Sequence, residues 1–159
     1  MRWAVVGNNR ACTSRADCSY HGDCIAHADL GVATGQVNLT VASHLLGSGL
    51  MPNLQGAILI LEDVGEAPYR IDRMLTHWRL CGALQQLGGI GFGQFEGCDS
   101  NPDDPRTLTL AAVLNERTAD LNIPVVKNLP VGHVCGNAAL PMGKLACLDG
   151  NLGHLSLVA

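Results

Sequence analysis

An acid and a histidine, each following an apolar segment, are the residues of this chain best suited to chemistry. Glu62 and Asp63 come directly after the apolar run at 57–61. His133 lies in a glycine- and proline-containing loop after a second apolar run, at 123–126. A carboxylate that accepts a hydrogen bond from one imidazole nitrogen fixes the tautomer and leaves the other nitrogen free as a general base. Glu62 and His133, called the dyad below, could therefore form the acid–histidine part of a catalytic triad.

The segments around Glu62 predict a strand, a helix and a second strand in succession. The run at 57–61 is typical of a buried strand, and 89–92 is a shorter, glycine-rich candidate for the next one. Between them, a helix is expected to begin at Pro68 and to end at Cys81-Gly82. Its apolar residues recur at helical spacing: Ile71, Met74, Leu75 and Trp78. A strand–helix–strand unit of this kind has parallel strands and a right-handed crossover.

This arrangement places the dyad at one edge of the sheet. A third strand is expected at 123–126, and the carboxyl ends of parallel strands lie on the same side. Glu62 and His133 should then lie within hydrogen-bond reach, although they are 71 positions apart in the sequence. The aromatic residues Tyr69 and Trp78 are expected to be packing residues rather than substrate platforms.

Further elements are predicted around this unit. A short helix over 39–46 has Asn38 as its N-cap, and a later helix is expected to carry Arg117 at the rim of its buried face. Apolar runs at 144–148 and 155–158, separated by turn residues, predict an antiparallel hairpin. The expected fold class is α/β: a small mixed sheet with a parallel βαβ core, flanked by helices and completed by a C-terminal β-hairpin.

Composition narrows the class of protein and its partners. At 159 residues, with 47 % apolar residues and a formal charge of −4, the chain suits one globular domain. It has no basic cluster interleaved with aromatic residues, so neither nucleic acid nor a membrane surface is an expected partner. No apolar run approaches the roughly 18 residues that span a bilayer, and the N-terminal apolar stretch is too short for a secretory signal. A cytoplasmic location is therefore expected.

The cysteines are expected to be reduced, and no metal site or cofactor is expected. Seven is an odd number for a disulfide framework, so we expect free thiols, with Cys81 and Cys147 in the core. Cys12, Cys18 and Cys24 recur every six residues, whereas structural zinc sites usually take cysteine pairs about two to four residues apart. The irregular segment 1–34 that contains these three is expected to be a lead-in to a single domain over 35–159.

Four sequence blocks, in this order, resemble one known family. They are LEDVGEAPYRIDRM at 61–74, GQF at 93–95, LPVGH at 129–133 and LPMG at 140–143. Together they make the chain, from about residue 35 to 157, similar to the C-terminal domain of the LD-carboxypeptidases, which are serine peptidases that trim muropeptides. The resemblance implies the swivelling β/β/α-like fold of that domain and assigns Glu62 and His133 to the acid–histidine half of the family's triad. It also implies that the nucleophilic serine and the oxyanion hole come from a separate N-terminal domain.

The function that the resemblance implies is release of the terminal D-alanine from peptidoglycan-derived tetrapeptides. No serine of this sequence lies in a G-x-S-x-G setting, so a serine-bearing N-terminal domain or a partner chain would supply the nucleophile. The isolated chain is then expected to be inactive. A non-catalytic muropeptide-binding or interaction domain is the alternative. An apolar patch left exposed beside the dyad would favour a homodimer.

Two further charged residues are candidates for binding the substrate. Glu66 could stabilise the start of the helix or bind the cationic end of the substrate. Arg70, like Arg73 one turn further on, could be solvated or could hold a substrate carboxylate bidentately. We expect Glu62 rather than Glu66 to be the catalytic acid, because the end of a strand positions it rigidly.

Overall fold

Four parallel strands form the sheet that carries Glu62. The computed structural model of the chain describes residues 35–99 and 108–157, so the segment 1–34 with its three cysteines lies outside the described residues. The strands follow the spatial order β1-β2-β3-β4, and each pair of neighbours is parallel, as predicted for the βαβ core. Their bounds are Gly35–Asn38 for β1, Ile58–Val64 for β2, Gly89–Glu96 for β3 and Val125–Val126 for β4.

Strand β2 is longer than its apolar run. All of its residues except Val64 are buried, as expected for a parallel strand that is covered on both faces. The strand continues through Glu62 and Asp63 because its backbone keeps pairing with β3, with a register shift between Leu61 and Asp63. The expectation that Glu62 follows the strand is therefore corrected. Glu62 lies inside the last part of β2, where Asn38 of β1 is its neighbour in the ladder.

The edge strand β1 is an element that the sequence pattern does not predict. Its sequence, GQVN, has a single apolar side chain, so no alternation marks it as a strand. Its backbone pairs in register with Leu59–Glu62. At its open edge the Gln36 N–H donates to Met142 Sδ at 3.1 Å. The extended conformation of β1 thus comes from pairing rather than from local propensity.

Three helices cover one face of the sheet. They are α1 (Leu39–Ser43), α2 (Pro68–Leu80) and α3 (Leu110–Thr118). The predicted N-cap of α1 is confirmed, since Asn38 Oδ1 accepts a hydrogen bond from the Val41 N–H at 3.0 Å. Helix α1 ends three residues earlier than predicted, in turns that lead to Gly47. Helix α2 begins and ends as predicted, and the buried residues of its stripe are Ile71, Leu75 and Trp78.

The two aromatic side chains of α2 have different environments. Trp78 is 1 % exposed, and its Nε1–H donates to Ser43 Oγ at 2.9 Å, which ties α2 to α1. Tyr69 is 56 % exposed, so the expectation that it is a packing residue like Trp78 is wrong. It lies off the buried stripe of α2, near the guanidinium groups of Arg70 and Arg73, each 5.9 Å from the centre of its ring.

Arginine–carboxylate pairs join α2 to α3 and to the turn that follows α3. Arg117 lies at the rim of α3 as predicted, and its Nε donates to Asp72 Oδ1 at 2.6 Å. Arg79 binds Asp120 bidentately, with both nitrogen–oxygen distances at 2.6 Å. These contacts lie at the margin of the helical layer, where they fix the relative position of the two helices.

A C-terminal hairpin covers the other face of the sheet. Its strands β5 (Ala146–Asp149) and β6 (His154–Leu157) are antiparallel, which confirms the predicted hairpin. The buried apolar residues of this layer are Ile58, Ile60, Val126, Leu129, Val131, Ala146, Leu148 and Leu155. Helices, sheet and hairpin form three layers, in agreement with the predicted α/β class.

Strand β4 has two residues, whereas four were expected from the apolar run at 123–126. Pro124 has no N–H with which to extend the ladder, although its carbonyl accepts from the Ile90 N–H at 2.9 Å. Strand β4 is therefore shorter than its apolar run, and beyond it an irregular segment lies beside β3.

The cysteines depart from expectation at two positions. Cys81 is exposed at the C-terminal end of α2 rather than part of the core. Cys147 is buried as predicted, but it is disulfide-bonded and not a free thiol. An odd number of cysteines excludes the pairing of all of them but permits a single disulfide. The count alone therefore does not show that every thiol is free. Within residues 35–99 and 108–157, none of the helices has the length and apolar character needed to cross a membrane.

Candidate active site

Glu62 and His133 are in direct contact at the carboxyl edge of the sheet, as expected from the strand order. The Glu62 Oε2 atom lies 2.7 Å from His133 Nδ1. The side chain of Glu62 is 3 % exposed, whereas that of His133 is 66 % exposed. With Nδ1–H donating to the carboxylate, Nε2 becomes the free acceptor of the ring, and no partner for it occurs among the described residues. This is the arrangement required of a general base and the acid that orients it.

The backbone of β2 determines where the Glu62 carboxylate points. Alternate residues of a strand share a face, so Glu62 lies on the hairpin side together with Ile60. Gly93 of β3 leaves the necessary space. A Cβ there would lie 3.3 Å from Glu62 Cβ and only 2.4 Å from the Val131 carbonyl oxygen. Gly93 thus makes room for both the carboxylate and the segment that leads to His133.

Hydrogen bonds to β3 position the loop that carries His133. After β4, the Leu129 N–H donates to the Phe92 carbonyl at 3.0 Å, and the Gln94 N–H donates to the Val131 carbonyl at 2.8 Å. The side-chain amide of Gln94 also donates to the Leu129 carbonyl, at 3.0 Å. Leu129 and Val131 are buried against the hairpin layer. The main chain two residues before His133 is therefore held against β3 by both bonding and packing.

Gly132 is the residue at which the chain turns so that His133 reaches Glu62. Its φ is 130°, in a region that residues with a Cβ rarely adopt. A Cβ at this position would also lie 3.1 Å from the Gln94 carbonyl oxygen and 3.4 Å from Glu62 Oε2. The glycine allows the chain to turn closely over the carboxylate, so that the imidazole of the next residue reaches it.

Asp63, for which the sequence suggests no role, is a buried acid with structural partners. It is 2 % exposed. Its Oδ2 accepts from the Thr40 N–H at 2.9 Å and from the Thr40 hydroxyl at 2.8 Å. Its Oδ1 accepts from Asn38 Nδ2 at 3.0 Å and from the Val64 N–H at 2.8 Å. Strand alternation is the signal that separates it from Glu62, because consecutive side chains of a strand point to opposite faces.

Glu66 and Arg70 contact each other. Arg70 Nη1 lies 3.3 Å from Glu66 Oε2, and Arg70 Nε donates to the Tyr69 hydroxyl at 3.2 Å. The bonds to Tyr69 and then to Glu66 raise the pKa of the Arg70 guanidinium above its ordinary value. In the described part of the chain, no hydrogen bond links either residue to the dyad. Both line an open groove beside α1 and α2, together with Thr40, Ser43, His44, Arg73, Met74 and His77.

A second, apolar groove lies beside the loop that carries His133. It is lined by Ile60 of the sheet, by residues 129–131 and 138–141 of the loop, and by Leu155 and Leu157 of the hairpin. Ile60 and Val131 are each two positions from a member of the dyad. Four of its lining residues, Ile60, Leu129, Val131 and Leu155, are buried, and an exposed apolar patch beside the dyad stays a prediction. That another domain or a second copy of the chain covers it stays a prediction.

The described residues place no nucleophile in contact with His133. Ser43 Oγ donates to the Leu39 carbonyl, Ser48 Oγ donates to the Leu45 carbonyl, and Ser156 is buried in the hairpin. Within the same described ranges, no group of three or more His, Cys, Asp or Glu side chains could hold a metal ion. The six-residue cysteine repeat of the segment 1–34 lies outside these ranges.

Comparison with protein families identifies the kind of domain that carries this site. The profile of the LD-carboxypeptidase C-terminal domain matches residues 33–148. This chain belongs to the LD-carboxypeptidase C-terminal domain family. The family resemblance found in the sequence blocks is confirmed.

The LD-carboxypeptidase domain also has curated relatives over most of its length. It is 48 % identical over 131 residues to a Synechocystis sp. protein provisionally named a carboxypeptidase, covering 80 % of this chain and 43 % of that protein. It is 38 % identical over 117 residues to the murein tetrapeptide carboxypeptidase of Pseudomonas aeruginosa, covering 72 % of this chain and 36 % of the relative. The chain thus spans less than half the length of these two relatives.

Solved structures share the fold of the LD-carboxypeptidase domain. The muramoyltetrapeptide carboxypeptidase from Oxalobacter formigenes superposes with a TM-score of 0.71 and 31 % identity, over 84 % of this chain and 45 % of that one. The microcin C7 self-immunity protein MccF, in complex with glutamyl sulfamoyl guanosine, superposes with a TM-score of 0.68 over 86 % of this chain and 41 % of its own. Its identity is 22 %, so it shows a common fold alone.

Proposed function

We propose that this LD-carboxypeptidase domain supplies the acid and the base of a serine carboxypeptidase site, with Glu62 and His133 as the catalytic residues. The observation that carries the proposal is the 2.7 Å contact between Glu62 Oε2 and His133 Nδ1. A buried carboxylate orients an imidazole and stabilises the imidazolium that forms during the reaction. The mostly exposed ring of His133 can be reached by a nucleophile from outside this chain.

The proposed reaction is acyl transfer at the bond before the terminal D-alanine of a peptidoglycan-derived tetrapeptide. A serine hydroxyl from a separate N-terminal domain attacks the scissile carbonyl, and its proton passes to His133 Nε2. The imidazolium, stabilised by Glu62, gives this proton to the amine of the departing D-alanine, which leaves the acyl group on the serine. His133 then takes a proton from water, the hydroxide hydrolyses the ester, and the serine recovers its proton. No cofactor takes part in these steps.

We expect the charged groups of the substrate to bind in the groove beside α1 and α2. Its lining contains one acid, Glu66, and two guanidinium groups, Arg70 and Arg73. An arginine binds a carboxylate bidentately, so a carboxylate of the peptide would bind there, while Glu66 would bind an ammonium group. Among the described residues Arg73 has no ion pair, whereas Arg70 is already paired with Glu66. Arg73 is therefore available for the carboxylate without the loss of an existing bond.

Reconstitution with the serine-bearing N-terminal domain of a relative tests the proposal. The chain alone should release no D-alanine from an L,D-linked tetrapeptide, and addition of the serine domain should start the release. His133→Ala should abolish it. Glu96→Gln, which changes an exposed acid at the end of β3, should leave it unchanged. A wild-type chain that binds the serine domain without restoring release would refute the proposal.

Non-catalytic binding of muropeptides, or of another protein, is a second candidate function. It is favoured by the lack of a nucleophile beside His133 in the described part of the chain. Under this alternative the isolated chain binds the tetrapeptide, as measured by calorimetry, and the serine domain adds no D-alanine release. The two functions are therefore distinguished by the same pair of measurements.

A further inference from the structure

Three hydrogen bonds close the loop that carries the proposed base. The Ala138 N–H donates to the Pro130 carbonyl at 2.7 Å, and the Asn137 N–H donates to the Val134 carbonyl at 3.2 Å. The third bond uses a side chain, since the Gly132 N–H donates to Asn137 Oδ1 at 3.0 Å. The loop is thus bonded to itself on both sides of its reactive residue.

The side chain of Asn137 acts on the residue that turns the chain toward Glu62. Gly132 is buried and has a φ of 130°. Because glycine has no Cβ, this residue could readily adopt other backbone conformations. Its buried N–H requires an acceptor, and Asn137 Oδ1 provides it. The bond fixes the plane of the Val131–Gly132 peptide, one peptide before the Gly132–His133 bond. It therefore helps to hold Gly132 in the conformation from which the His133 side chain reaches Glu62.

We propose that Asn137 is a positioning residue that keeps His133 Nδ1 within hydrogen-bond reach of Glu62. The imidazole is 66 % exposed, so packing around the ring does little to hold it, and the internal bonds of the loop have this role. Asn137 acts through the Val131–Gly132 peptide, whose carbonyl accepts from the Gln94 N–H. Its effect on catalysis rests on the proposed function, whereas its effect on the Glu62–His133 contact does not.

The Nδ1 proton of His133 gives a direct readout in the chain itself. A histidine Nδ1–H that donates to a buried carboxylate should exchange slowly enough to be seen in nitrogen-15-edited NMR spectra. The signal should be present in the wild-type chain and absent in Glu62→Ala. In Asn137→Ala it should be lost or reduced about fivefold or more. Asn137→Asp keeps an acceptor oxygen at the same place and should retain it.

Asn53→Ala is the matched control. Asn53 Oδ1 accepts from the Gln55 N–H at 3.0 Å, which is the same kind of side-chain to backbone bond in another exposed loop. This variant should leave the His133 signal unchanged. An undiminished signal in a folded Asn137→Ala chain would overturn the proposal. If Asn137→Ala does not fold, hydrogen exchange at the Gly132 N–H of the wild-type chain decides, since slow exchange supports the proposal and exchange at the rate of an exposed amide overturns it.

Kinetics with the serine domain test the catalytic consequence. Asn137→Ala should lower kcat about tenfold or more and leave KM within about twofold, because the position of the base matters most in the transition state. A loss carried by KM alone would assign Asn137 to substrate binding and overturn the positioning role. If the wild-type chain releases no D-alanine, the proposed function fails, and the NMR comparison still decides the role of Asn137.

Discussion

Glu62 and Asp63 are consecutive residues of β2, yet their carboxylates bind partners on opposite faces of the sheet. Glu62 contacts His133 on the hairpin face, and Asp63 accepts from Asn38 and Thr40 on the helix face. Both acids are 2 % exposed. One strand end thus supplies an acid for the proposed chemistry and an acid for the fold. Substitutions at the two positions should therefore have separable effects.

Replacement of Glu62 by glutamine should impair the proposed reaction much more than the fold. A neutral amide does not stabilise the imidazolium, and loss of the triad carboxylate lowers kcat by up to about 10⁴-fold. D-alanine release in the presence of the serine domain should fall by about 10²- to 10⁴-fold. The midpoint of thermal unfolding should stay within a few degrees of the wild type. Glu96→Gln is the control, and release by Glu62→Gln at near wild-type rates would exclude a catalytic role for this acid.

Replacement of Asp63 by alanine should lower the free energy of unfolding by roughly 3 kcal/mol. The change removes the acceptor of four hydrogen bonds and leaves buried donors without a partner. Urea denaturation measures the change. Thr40→Val removes only the hydroxyl donor and should cost about 1 kcal/mol. Equal denaturation midpoints for Asp63→Ala and the wild type would show that this network does not stabilise the chain.

The parts of the fold that could be predicted are those where side-chain pattern and backbone pairing agree. The apolar residues before Glu62 form the first part of β2, and the helical stripe from Ile71 to Trp78 belongs to α2, which begins and ends as expected. Strand β1 could not be predicted, because Gly35–Asn38 becomes a strand by pairing with β2 and not through its own composition. The short strand β4 is the converse case, in which Pro124 interrupts an apolar run.

The site, like the fold, has one part that could be predicted from the sequence and one part that could not. The meeting of Glu62 and His133 followed from strand order, because parallel strands bring their carboxyl ends to one edge. The supporting residues could not be found by this route. Gln94 and Asn137 act through the carbonyl of Leu129 and the N–H of Gly132, and these backbone groups become their neighbours only when the loop has folded beside β3. Substrate binding by Glu66 and Arg70 stays a prediction, and the ion pair between them leaves Arg73 as the guanidinium available to a carboxylate.

Replacement of Gly93 by alanine should destabilise the chain by about 2 kcal/mol or more. The added Cβ would lie 2.4 Å from the Val131 carbonyl oxygen, a backbone atom that cannot move away without breaking its bond to the Gln94 N–H. Gly35→Ala, in the edge strand, is the matched control. Its Cβ would meet nothing closer than 3.7 Å, so its effect should stay within about 0.5 kcal/mol. Equal unfolding free energies for the two variants would contradict the close contact between β3 and the segment before His133.

Cys98 should react with alkylating agents more slowly than Cys81 and Cys135. The thiolate is the reactive form, and burial raises the pKa of the Cys98 thiol, so a smaller fraction of it is ionised at a given pH. Cys81 and Cys135 are exposed. Iodoacetamide labelling of the native chain at about pH 8, read by peptide mass spectrometry, should modify these two first and Cys98 only slowly. In denaturant the three rates should converge, because unfolding removes the burial. Equal rates in the native chain would mean that Cys98, two residues after the end of β3, is not enclosed by the helical layer.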